Sequence, residues 1–151
     1  MRKIAIGFIV FLLCISAASA STAEKDTDFS LISAEDLGYK IVPAKVDDGG
    51  VSVRTVYDTI TQGETNWHGK TVSSYTESLK IDLNWGDTSD SLKLYIYDPS
   101  YNCLGTFYDS SDGSINGRIT LYINNDNGIE QGTWRCRVYG YSVSGTEDYS
   151  I

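Results

Sequence analysis

Apolar and polar residues alternate along most of the second half of the chain. Leu79, Ile81, Leu83 and Trp85 are separated by Lys80, Asp82 and Asn84. A period of two places those four apolar groups on one face of an extended strand. After a turn at residues 86–90, Leu92, Leu94 and Ile96 repeat the pattern, with Lys93, Tyr95 and Tyr97 opposite. Asp98-Pro99-Ser100 ends that strand, because proline has no N–H to give a ladder. Cys103, Gly105 and Phe107 share one parity, which predicts a short strand with the cysteine turned inward. Residues 109–117 are rich in turn formers. Beyond them, Ile119, Leu121 and Ile123 mark another strand. Trp134, Cys136 and Val138 mark the next, with Arg135, Arg137 and Tyr139 on its other face, and Tyr149 and Ile151 close a terminal strand. Amphipathic helices are not evident. The pattern predicts an all-β protein, a single β-sandwich or jelly-roll-like domain of about seven or eight antiparallel strands, with an up-and-down barrel as the alternative.

The first half is less regular. Residues 1–20 read as a signal peptide: Arg2 and Lys3, an apolar run over residues 4–15, then Ala18-Ser19-Ala20. That run is shorter than the roughly 20 residues needed to cross a bilayer, and no later segment is apolar enough. Residues 21–50 read as a leader, with a short strand over residues 37–46 and a turn at Asp47-Asp48-Gly49-Gly50. The compact domain is placed at residues 51–151, opening on Val51, Val53 and Val56. Within it, Trp67 is expected to be at least partly buried, closing one end of the core. Its pairing with His68 is the mark of a binding site on the other reading.

Charge narrows the partners. The chain carries a formal net charge of −8, and loss of residues 1–20 removes two cations and no acids. Such acidity argues against a nucleic-acid partner. Beyond the signal, Cys103 and Cys136 remain. An even pair in an exported chain predicts a disulfide, worth roughly 3.5–4 kcal/mol in the loop-entropy account, with two free thiols or half of a metal site as the alternatives.

Catalytic patterns are weak. His68 is the sole histidine, with neither a nucleophile elbow nor a zinc-binding His pair around it. No catalytic residue is assigned, and a secreted hydrolase ranks third among the functional readings. Asp87 and Asp90 flank a turn and are the first candidates for a structural calcium site, although aspartate is also common in turns for its local hydrogen bonds. No other cofactor is expected. Tyr95, Tyr97, Tyr122 and Tyr139 share outward parity with Lys80, Lys93, Arg135 and Arg137. If their strands are neighbours, rings and cations form a platform for a glycan or an extended protein; the bland alternative is an ordinary sheet surface.

Three stretches carry a family resemblance. They are Ile60-Thr61-Gln62-Gly63-Glu64 with Trp67, the run from Leu79 through Asp98-Pro99, and Gly132-Thr133-Trp134 through Gly140 with Ser144-Gly145. Together they make residues 60–151 resemble the bacterial and archaeal pre-peptidase C-terminal domain. The central run departs from that family's frequent Asp-Leu-Asp-Leu at Ser91, followed by Lys93. The resemblance implies a secreted β-sandwich or jelly-roll accessory module, implicated in substrate or matrix binding or in secretion. The leading expectation is thus a non-enzymatic module, secreted or at the cell surface, binding extracellular protein or cell-envelope polysaccharide. A carbohydrate-binding module using the tyrosine-rich face is second.

Overall fold

The computed structural model describes residues 33–44 and 55–151. The signal segment, the turn at residues 47–50 and the expected domain start at Val51 lie outside the described residues. Those that are described form nine antiparallel strands in two sheets and no α-helix. The strands are β1 (Lys40–Pro43), β2 (Tyr57–Thr61), β3 (Thr65–Val72), β4 (Ser78–Asn84), β5 (Ser91–Tyr97), β6 (Cys103–Phe107), β7 (Arg118–Asn124), β8 (Gly132–Ser142) and β9 (Thr146–Ser150). One sheet runs β1-β7-β4-β9-β2 and the other β3-β8-β5-β6. From β2 onward the chain changes sheet at every connection except the β5–β6 hairpin. Among the described residues no helix is long and apolar enough to cross a membrane.

The core follows from the period-two pattern. On the first sheet Leu79, Ile81 and Leu83 lie opposite Ile123, Leu121 and Ile119. On the second, Leu94 and Ile96 lie opposite Val138 and Cys136. Leu83, Leu94 and Trp134 are wholly buried and Leu121 is 2% exposed. Their inner faces meet as one cluster. Each such aliphatic side chain contributes about 1.5–3 kcal/mol by leaving water. The indole N–H of Trp134 donates to the carbonyl of Glu130 at 2.9 Å, so the largest core group buries no unpaired donor.

The switch from β2 to β3 is set by backbone contact. Gly63 donates to the carbonyl of Gly140 and Gly140 donates to that of Glu64, at 2.8 and 3.0 Å. A Cβ on Gly140 would fall 2.2 Å from the carbonyl oxygen of Thr61, so this close approach requires glycine.

The expected disulfide is absent: Cys103 and Cys136 are free thiols. Cys136 on β8 pairs in register with Ile96, and Cys103 on β6 with Tyr97, so β5 runs between the two cysteines. Two strand spacings amount to about 9–10 Å, beyond the roughly 7 Å that a bridge spans between Cα atoms. They also face opposite ways. Cys136 is fully buried, whereas Leu104, not Cys103, turns inward on β6. A register shift between Ile96 and Tyr97 inverts the expected parity there. Burial pushes the Cys136 thiol up to about 12, which leaves it protonated and unreactive at neutral pH.

Candidate functional site

The outer face of the β3-β8-β5-β6 sheet gathers aromatic rings and cations. Register places Trp67 of β3 beside Arg137 of β8, and Arg137 beside Tyr95 of β5. Arg135 lies beside Tyr97 in the next row, and Tyr139 beside Lys93 on the other side. Along β8 the outward positions from Arg135 to Tyr141 extend for roughly 20 Å at the ordinary strand rise.

Each cation sits on an aromatic face. The Arg137 guanidinium lies 3.7 Å from the Tyr95 ring centre and 5.9 Å from that of Trp67. Lys93 lies 3.5 Å from the Tyr141 ring centre and 5.1 Å from that of Tyr108. Arg135 lies 3.8 Å from the Tyr101 ring centre. Trp67 and Tyr97 are in tilted contact at 5.3 Å. Contacts of this kind are worth about 0.5–1 kcal/mol each at exposed sites and hold long side chains in place. Four rings of this face remain exposed: Trp67 is 53% exposed, Tyr101 54%, Tyr141 49% and Tyr108 42%. Trp67 therefore does not close the core as expected. It occupies an outward position of an edge strand.

Tyr101 reaches the platform from the β5–β6 turn. The Asp98 carboxylate accepts from the backbone N–H and side-chain amide of Asn102, both at 2.8 Å. Tyr101 donates its N–H to the Asp98 carbonyl and adopts a left-handed backbone, with φ of 68°. That conformation costs a non-glycine residue roughly 1–2 kcal/mol. The turn thus holds a ring over Arg135 where glycine would relax the backbone.

Of the expected tyrosine face, Tyr95, Tyr97, Tyr139, Lys93, Arg135 and Arg137 come together. Tyr122 and Lys80 belong to β7 and β4, on the other sheet. Alternation distinguishes inward from outward but does not say which sheet a strand joins. Tyr101 and Tyr108 were missed because they stand in turns outside the repeating pattern, and Tyr141, which continues the outward parity of Arg135, Arg137 and Tyr139, because it lies at the end of β8.

Asp87 and Asp90 stand in the β4–β5 turn. Asp87 Oδ1 accepts from the N–H and hydroxyl of Ser89, both at 2.7 Å, and those hydrogen bonds hold its carboxyl below the usual range. Asp90 is buried and accepts from the Ser144 N–H at 3.1 Å. Burial, then the neighbouring charges of Asp90 and Asp87, push Glu147 up. Among the described residues no group of three or more His, Cys, Asp or Glu side chains is placed to hold a metal ion.

His68 lies on the inner side of β3. Its Nε2 is 2.7 Å from the Tyr149 hydroxyl and 3.8 Å from Asp58 Oδ2. The Asn66 amide donates to the carbonyl of Thr59 at 2.8 Å and to the Tyr149 hydroxyl at 3.2 Å, so the group ties the two sheets together. Burial pushes His68 down despite the opposing pull of Asp58. Beside this group, a cavity of about 540 Å³ lies between β2, β9 and the end of β4, lined by Tyr57, Asp58, Trp85 and Tyr149 among others.

No model of a known protein family matches the chain. A 49-residue stretch is 39% identical to an uncharacterized protein of Archaeoglobus fulgidus, covering 32% of this chain and 68% of that protein. On that similarity, the chain belongs to the same family as the archaeal protein.

Proposed function

We propose that this protein is an exported carbohydrate-binding module that holds a cell-envelope or extracellular glycan on the outer face of the β3-β8-β5-β6 sheet. The observation that carries this reading is the row of exposed rings at Trp67, Tyr101 and Tyr141, each beside a cation. A sugar ring presents a flat C–H face that stacks on an aromatic ring, while its hydroxyls meet tyrosine tips and cationic donors. The second sheet's outward strand positions carry no aliphatic side chain, so contact with a ligand there falls to aromatic rings and cations. The action is one of binding, with no chemical step. The pre-peptidase C-terminal resemblance and the sequence of residues 1–20 support a setting outside the cytoplasm.

The test is retention on immobilised polysaccharides, spanning neutral and acidic types, for the wild type and for Trp67→Ala combined with Tyr141→Ala. Both side chains are half exposed, so the double variant should stay folded, with its melting temperature lowered only by the loss of their surface ring and cation contacts. Retention on the preferred glycan should fall more than about tenfold, the effect of losing central aromatic anchors. Wild-type protein that binds no member of the panel, or a double variant that binds as well, would refute the reading.

A further inference from the structure

Charge is segregated between the two sheets. The strands β3, β5, β6 and β8 contain Lys70, Lys93, Arg135 and Arg137 and not one aspartate or glutamate. The strands of the other sheet hold Asp58, Asp82, Glu147 and Asp148 among their charges. In a chain of net charge −8, an all-cationic sheet is a local reversal. Three of its cations, Lys93, Arg135 and Arg137, lie on the outer face.

Among the described residues, none of those three forms an ion pair with an acid: the ion pairs join His68 to Asp58, and Lys80 and Arg118 to Asp82, all away from this face. The Arg137 Nε is buried with no hydrogen-bond partner. A buried donor left without an acceptor is destabilising. Ring faces hold the guanidinium and ammonium groups in position but do not cancel their charge. At physiological salt, charges more than about 8 Å away are largely screened, so a ligand on this face meets its cations before the acidic remainder of the molecule.

We propose that the glycan is an acidic polysaccharide, whose carboxylate or sulfate groups pair with Lys93, Arg135 and Arg137 while its rings stack on Trp67, Tyr101 and Tyr141. This rests on the carbohydrate-binding reading above and narrows it. The planar fork of arginine suits a carboxylate or sulfate bidentately and donates from its edge when its face is stacked; Nη1 of Arg135 already donates to the carbonyl of Thr133 at 3.1 Å, which leaves the rest of that fork to the ligand.

The experiment compares polymers that share a backbone and differ in charge. Polygalacturonate is set against its methyl-esterified form, and dextran sulfate against dextran, by affinity electrophoresis at several salt concentrations. The protein should retain at least one acidic polymer over its neutral counterpart, and the two pairs tell carboxylate from sulfate. Affinity should fall about tenfold or more between 50 and 200 mM salt, as counterion release by three cations requires. Lys93→Gln combined with Arg137→Gln should abolish the preference, whereas Lys80→Gln on the other sheet should leave it intact. Lys93→Gln alone, which leaves the buried Arg137 Nε in place, should reduce it if the double variant folds poorly. Equal retention of charged and neutral polymers would overturn the acidic assignment while leaving a glycan module standing. So would a preference untouched by the Lys93 and Arg137 changes. Retention of none of the four would also overturn it, and the wider panel then decides whether glycan is bound at all.

Discussion

At the residue scale, His68 shows how one polar group set among core strands makes stability depend on pH. Burial lowers its pKa in the folded protein, so the unfolded chain takes up the proton first as pH falls. Stability contributed by neutral His68 is therefore present above the ordinary histidine value near 6.5 and is lost progressively as pH drops below it. Carboxylates with ordinary values are still ionised in the upper part of that window. Thermal melts between pH 7.5 and 5 should show the wild type losing stability on acidification, with a shallower slope for His68→Gln. An equal slope in both would place the dependence elsewhere. Asp82 contributes with the same sign in a lower pH window, through a different balance of causes. Burial raises it, but the Arg118 hydrogen bonds and charge, with Lys80 and Thr120, outweigh burial and hold it below the usual range. Its contribution is lost only as pH falls below the ordinary aspartate value.

At the element scale, β5 is the strand that separates the cysteines, and it yields a direct check. Mass mapping under non-reducing conditions should find Cys103 and Cys136 as two thiols, and reductant should leave the melting temperature unchanged. Alkylation of the native protein should favour Cys103, since Cys136 is fully buried with its thiol pushed up to about 12. A recovered Cys103–Cys136 peptide would contradict the strand order. The β4, β5, β7 and β8 strands were legible because their inward residues are apolar at every second position, and those positions are buried. Strand β6 was misread because a register shift in the hairpin, after the left-handed Tyr101, changes which residue turns inward. Strand β3 was obscure because its inward side carries Asn66, His68 and Lys70, which hide the period, while its one large ring, Trp67, faces out. The sheet to which each strand belongs depends on connections that change sides, and local alternation carries no record of that choice. Hence Tyr122 was grouped with rings from which the core separates it.

At the scale of the whole molecule, the arrangement is a division of labour between two sheets. Their inner faces share one dry core, anchored by Trp134 against Tyr39 in an edge contact at 5.3 Å. The outer face of the first sheet is laced by its own ion pairs, with Arg118 and Lys80 both meeting Asp82. The outer face of the second keeps cations on aromatic rings and no acids among its strands. Rigid strands fix the spacing of those groups, which lowers the entropy lost when an extended ligand binds. The cavity beside Tyr57 and Tyr149 is the rival location, on the opposite sheet and lined by Asp58 and Asp148.

Backbone amide chemical-shift mapping separates these two surfaces. With whichever oligosaccharide the retention assays select, the shifts should cluster on β3, β5 and β8, at Trp67, Arg137, Tyr95 and Lys93, with Tyr101 in the adjoining turn. Shifts confined to Tyr57, Asp58, Tyr149 and Ser150 would contradict the account and place binding in the cavity of the other sheet.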